Sequence, residues 1–109
     1  MTQTMSLAPD MATFQRLVNS RFRLRLDENT SVEAELAEVR QSGGSPSYEQ
    51  FSLVFSAPVE GPPEQRIYEL EHDGTGSFEL FLVPLGRSEA GVLFEAVFNR
   101  RVESTAGGD

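Results

Sequence analysis

The chain is predicted to be mainly β: an antiparallel barrel or closed sandwich of about six strands with one N-terminal helix. Three observations predict it. Apolar residues recur at every second position through several short runs, turn-forming residues separate those runs, and a helical period shows only once, near the N-terminus. No βαβ unit and no internal repeat of fixed period is present, which argues against a doubly wound sheet.

The 109 residues amount to one domain, read as residues 9–99 between a loose N-terminal segment at 1–8 and a flexible acidic tail at 100–109. Pro9 to Asn19 carries the helical period, with Met11, Phe14, Leu17 and Val18 on one stripe and Asp10 placed to cap the start. A helix this short must pack on something, and a barrel mouth suits it.

From Arg21 the period becomes two. Phe22, Leu24 and Leu26 face one way and Arg21, Arg23 and Arg25 the other. Asp27 to Ser31 reads as a turn, after which Val32, Ala34 and Leu36 resume the inward row. Pairing Leu26 with Val32 sets Leu24 against Ala34 and Phe22 against Leu36. It also sets Arg25 against Glu33 and Arg23 against Glu35. The alternation breaks at Ala37-Glu38-Val39, where a bulge or a strand end is expected.

Gln41 to Ser47 (QSGGSPS) reads as a loop. Phe51, Leu53 and Phe55 form the next inward row, which Pro58 to Pro63 (PVEGPP) ends. Ile67 to His72 is a strand with Tyr68 and Leu70 on one face, and Asp73 to Gly76 a hairpin turn. Phe78 to Leu85, a turn over Gly86 to Gly91, and Val92 to Phe98 make the last hairpin. There Phe81, Val83, Phe94 and Phe98 are assigned to one face, with Leu80, Leu82, Leu93 and Val97 on the other. A half-solvated sheet does not spend Leu outside, so the helix or another chain is expected to cover that second face.

Composition excludes several functions. With no Cys, disulfides, thiolate metal sites and cysteine nucleophiles are out. The single imidazole, His72, rules out two-His metal sites and His-based triads within the chain, and its place beside Glu71 and Asp73 fits a turn-stabilising hydrogen bond. No metal and no cofactor is expected. A formal net charge of -8, with every basic residue an Arg, disfavours nucleic acid and anionic membranes. The row Arg21, Arg23, Arg25 reads as structural rather than as a nucleic-acid reader. The glycines Gly43-Gly44 and Gly74-x-Gly76 lack the strand–helix context and the Lys of a phosphate loop, and Asp73 to Gly76 lacks the acidic positions of a calcium loop. No apolar run is long enough to span a bilayer and no leader pattern opens the chain, so a cytoplasmic location is expected.

The run Phe51 to Phe55 (FSLVF), Tyr68 to His72 (YELEH), Phe78 to Gly86 (FELFLVPLG) and Phe94 to Asn99 (FEAVFN) carries a resemblance. With Phe14, Leu17 and Phe22 it resembles an uncharacterised bacterial family of domains of unknown function, over Leu7 to Asn99. Some members are encoded near phage-tail-collar-type proteins. The resemblance implies no activity and no site residue; the gene neighbourhood implies an accessory role in a tail-like assembly.

Three functions therefore stand. The first is a non-enzymatic accessory module that binds a partner protein, tail-collar-like, through Leu80, Leu82, Leu93 and Val97. The second is a small-ligand-binding barrel whose pocket is lined by Phe51, Phe55, Phe81 and Phe94. The third is a carboxylate-dependent hydrolase around Glu69, Glu71 and His72.

Overall fold

The computed structural model describes residues 9–45, 48–89 and 91–101 and contains six strands in one closed antiparallel barrel, with a short helix at one end. The strands are β1 (Arg21–Asp27), β2 (Thr30–Ser45), β3 (Tyr48–Ala57), β4 (Arg66–His72), β5 (Gly76–Ser88) and β6 (Gly91–Arg101). Their order around the wall is β1-β2-β3-β6-β5-β4. Two three-stranded meanders thus meet edge to edge, β1 on β4 and β3 on β6. Closure leaves neither meander's outer strand as a bare edge along its paired length.

The alternation in β1 buries Phe22 and Leu24 and exposes the three arginines, as predicted. The register differs from the expected one by two residues. Arg23 lies opposite Glu33, Leu24 opposite Val32 and Phe22 opposite Ala34. The cause is the turn. Asp27 pairs with Thr30, so only Glu28 and Asn29 connect the strands, and Asp27 Oδ1 accepts from the Asn29 N–H at 2.8 Å. Continued without irregularity, that tight turn would set Leu24 against Glu33. A bulge between Arg25 and Asp27 absorbs one residue and returns Leu24 to an apolar partner.

The arginines consequently find most of their carboxylates on β4. Arg23 pairs with Glu71, Arg25 with Glu69 at 3.3 Å, and Arg21 with Glu33 of β2 at 3.3 Å. Arg23→Glu is expected to cost no more than about 1 kcal/mol, since the pair is exposed. In urea melts, adding Glu71→Arg should recover most of that loss and adding Glu35→Arg none. Rescue by Glu35→Arg would contradict the register.

Helix α1 spans Met11–Arg16, shorter than the Pro9–Asn19 expectation. Asp10 caps it as predicted, its Oδ1 accepting from the Thr13 N–H at 2.9 Å. It stops because Leu17 leaves helical geometry and Asn19 turns left-handed at φ 76°, a conformation Asn tolerates. The chain then joins the wall directly: the Asn19 N–H donates to Leu36 O, and the Leu36 N–H to Ser20 O. Phe14 is fully buried, with ring centroids 5.9 Å from both Phe78 and Phe98 and 6.3 Å from Phe51. It closes the barrel end where β3 and β5 begin and β6 finishes.

Three further expectations are corrected. Gln41 to Ser45 is not loop but the far part of β2, with Gly44 opposite Glu49 and Ser45 opposite Tyr48; Pro46 and Ser47 lie outside the described residues. Gly86 to Ser88 continue β5 instead of turning, because a bulge between Pro84 and Gly86 lets the ladder resume with Leu93 and Val92. Arg100 and Arg101 belong to β6 rather than to a tail, opposite Glu49 and Tyr48. The bulge expected at Ala37-Glu38-Val39 is present, between Leu36 and Glu38. Residues 1–8 and 102–109, where the loose segment and most of the tail were expected, lie outside the described residues.

The core runs the length of the barrel. Phe22 meets Phe55 edge-on at 5.4 Å, Phe51 stacks on Phe98 at 4.5 Å, and Tyr68 meets Phe94 at 5.5 Å. Leu24, Leu36, Leu53, Leu70 and Leu82 fill between them.

Candidate docking surface

The period of two on β4 and β5 decides what the outside of the barrel carries. Tyr68 and Leu70 point inward, so Ile67, Glu69 and Glu71 point outward. Tyr68 lies opposite Leu80 and Ile67 opposite Phe81. Leu80 and Leu82 are therefore core residues, and Phe81 is on the outside. This corrects two expectations. The proposed interface set splits, with Leu80 and Leu82 buried, Leu93 half-buried and only Val97 fully presented. The proposed pocket set splits as well: Phe51, Phe55 and Phe94 are sealed in the core while Phe81 faces solvent.

The result is a barrel wall with two unlike halves. The outer surface of β2, β1 and β4 is a ladder of Glu33, Arg21, Arg23, Arg25, Glu69 and Glu71. The outer surface of β5 and β6, with the start of β4, is largely apolar. Ile67 is 57% exposed, Phe81 50%, Leu85 51% and Val97 70%. Val83 and Leu93 complete the stripe as half-buried members. Register places them side by side: Phe81 across from Ile67, Val83 two residues along β5, Leu93 and Val97 either side of Glu95 on β6. The bulge after Pro84 turns Leu85 outward at the end of the stripe. An exposed apolar cluster of this kind, interrupted by Glu95 opposite Val83, marks an interaction site more often than lone surface apolar residues do.

The charges around that face are mainly negative. Glu79 and Glu95 point outward from the same strands, and Glu60 and Glu64 stand on the Pro58–Gln65 connection. The two arginines at that end are tied down. Arg87 donates to Val59 O at 3.1 Å and to Gly61 O. Arg66 donates to Ile67 O and Leu26 O, pairs with Glu64 at 3.4 Å and lies 4.2 Å over the Tyr68 ring. On the β2 flank, the hydrogen bond from Arg40 to Glu38 at 2.8 Å holds the Glu38 carboxyl below its ordinary range, and the same bond raises Arg40, with Glu95 adding to it. A depressed carboxyl contributes at neutral pH and loses that contribution as pH falls through its folded value; at this exposed pair the effect is small.

The residues considered for catalysis are structural in their contacts. Glu69 and Glu71 are committed to Arg25 and Arg23. His72 Nδ1 accepts from the Gly74 N–H at 2.9 Å, the turn bond anticipated for it, and its ring lies 4.6 Å from Phe22. A cleft of about 230 Å³ beside it is lined by Arg21, Arg23, Glu33, Glu71 and Asp73, nearly all of them already ion-paired. Among the described residues no group of three or more His, Asp or Glu is arranged to hold a metal ion, and no helix is long and apolar enough to cross a membrane.

Sequence reasoning missed Ile67 and Leu85 and placed Phe81 inside. The signal for Phe81 existed: Glu79 must face water, which sends Phe78, Leu80 and Leu82 inward and Phe81 outward.

A family model described as a domain of unknown function (DUF6916) matches residues 9–98. No curated protein and no solved structure matches the chain.

Proposed function

The chain belongs to the DUF6916 family of domains of unknown function, and from that premise we propose that it is a non-enzymatic module that binds a partner protein through the outer wall of β5 and β6. The observation that carries this is the exposure of Phe81, Ile67, Leu85 and Val97 on adjoining strands of a closed barrel whose other half is a charge-paired ladder. Burying such a face is favourable by about 25 cal/mol per Å² of apolar area, before the costs of association.

Charge selects the kind of partner. Glu79, Glu60 and Glu64 border the face, Glu95 stands within it opposite Val83, and the chain carries a net charge of -8. A second copy would bring like charges together, whereas a protein with an apolar patch ringed by Lys or Arg would be complementary. The resemblance to a family with members encoded near phage-tail-collar-type proteins supplies the partner to test: a tail-collar-type protein encoded beside the chain.

Isothermal titration against that protein tests the reading. Phe81→Asp should weaken binding about tenfold or more, which is about 1.4 kcal/mol or more. Glu33→Gln, on the charged half, should leave it unchanged. Equal binding by wild type and Phe81→Asp would overturn the assignment of the face, and absence of binding by the wild type would exclude the tail-associated partner.

A further inference from the structure

At the barrel end opposite α1, the Pro58–Gln65 connection crosses from β3 to β4 and leaves a cleft of about 170 Å³. Sites for drug-sized ligands run from roughly 300 Å³ upward, so this cleft has room for a single side chain. It is lined by the apolar groups of Leu26, Val59, Pro62, Pro63 and Tyr68 and by the charged Glu60, Glu64 and Arg66.

The walls are held in place. The Val59 N–H donates to Ala57 O at 2.9 Å, and Arg87 donates to both Val59 O and Gly61 O. Three prolines and the Tyr68 hydroxyl, which donates to Glu64 O at 2.6 Å, fix the rest. A cleft this constrained does not have to be ordered when something enters it.

The charges within it do not balance. Glu64 is met by Arg66, which is itself committed to two backbone carbonyls and the Tyr68 ring. Glu60 has no ion pair among the described residues. An apolar floor beneath one unmatched carboxylate fits a side chain with an aliphatic stem and a cationic head. The Tyr68 ring is already covered by Arg66, which leaves Glu60 as the group that meets an incoming cationic head.

We propose that this cleft receives one lysine or arginine side chain of the docking partner, its stem on Pro62, Pro63 and Val59 and its head at Glu60. The inference rests on the docking reading above and adds to it the identity of a recognised group. Ile67, whose carbonyl accepts from Arg66, links the cleft to the apolar face.

The test uses a probe with no docking surface of its own, so its outcome is separate from that of the titration above. Amide chemical shifts of the full chain are followed while Nα-acetyl-lysine methylamide is added, with the norleucine analogue as the uncharged control. The expected result is saturable shifts confined to Leu26 and residues 57–68, at millimolar probe, lost in Glu60→Gln and much weaker for norleucine. Glu60→Gln changes an exposed side chain and should keep the dispersed spectrum of the folded barrel. Shifts scattered over the carboxylates of the β1–β4 ladder, shifts that persist in Glu60→Gln, or equal shifts from norleucine would each overturn the proposal.

Discussion

Gly91→Ala is expected to leave the chain unfolded or nearly so. Gly91 opens β6 at φ 135°, where L side chains are strained. It also sits against the end of β3. A Cβ there would overlap the Ala57 carbonyl oxygen and lie 2.8 Å from Ala57 C and from Pro58 Cα. None of these atoms belongs to a flexible side chain, so relief requires moving the β3–β6 ladder or the Pro58–Gln65 connection that roofs the barrel end. Effects above about 4 kcal/mol come from a short list of causes, and a backbone clash at a left-handed position is among them. Small domains hold only about 5–15 kcal/mol in total. Gly76→Ala is the control. It has φ 82°, but a Cβ at that position would meet nothing within 4 Å, so its cost should be strain alone, about 1–2 kcal/mol. Thermal melts followed by circular dichroism compare the two. If Gly91→Ala melts with Gly76→Ala, the close approach of β6 to Ala57 is wrong.

Phe14→Ala is the second large effect, expected at about 3–5 kcal/mol. Phe14 is α1's only fully buried side chain and touches the rings of Phe51, Phe78 and Phe98. A helix of six residues does not hold itself, so the substitution should both empty the barrel end and release the helix. Asp10→Ala, which removes the cap, should cost about 1 kcal/mol in the native background. In the Phe14→Ala background that cost should vanish, because the helix it caps is no longer docked. Additive losses in the double variant would mean that α1 stays folded without its anchor.

Much of this architecture is legible in the chain. The Arg-Phe-Arg-Leu-Arg alternation admits one orientation only, since a shift of one residue would bury guanidinium groups. Asp10 and the spacing of Met11 and Phe14 announce the helix start, and Ala37-Glu38-Val39 announces a bulge or a strand end, of which the structure has the bulge. The first hairpin's register was not legible. It depends on an Asp27 side chain closing a two-residue turn and on a compensating bulge, and a longer turn with no bulge satisfies the same pattern. The exposed apolar face was harder for a different reason. Phe78 to Leu85 is apolar at both parities apart from Glu79, so that one carboxylate is the whole sequence signal for which side faces out; the pairing of Ile67 with Phe81 and Tyr68 with Leu80 agrees with it. The polar QSGGSPS segment hid the far end of β2, where ladder pairing with β3 prevails over weak local strand propensity.

The two halves of the wall differ in what they leave unmatched. The ladder of Arg21, Arg23 and Arg25 with Glu33, Glu69 and Glu71 is matched within the chain and offers little to a partner. The face around Phe81 is unmatched, and the carboxylates at its rim make a second copy of the chain a poor cover for it. Light scattering of the purified chain across a concentration series decides whether a second copy covers that face. The mass of one chain is expected throughout, with Phe81→Asp indistinguishable from wild type. A dimer that grows with concentration and reverts to monomer in Phe81→Asp would contradict it, because the face would then be the chain's own interface.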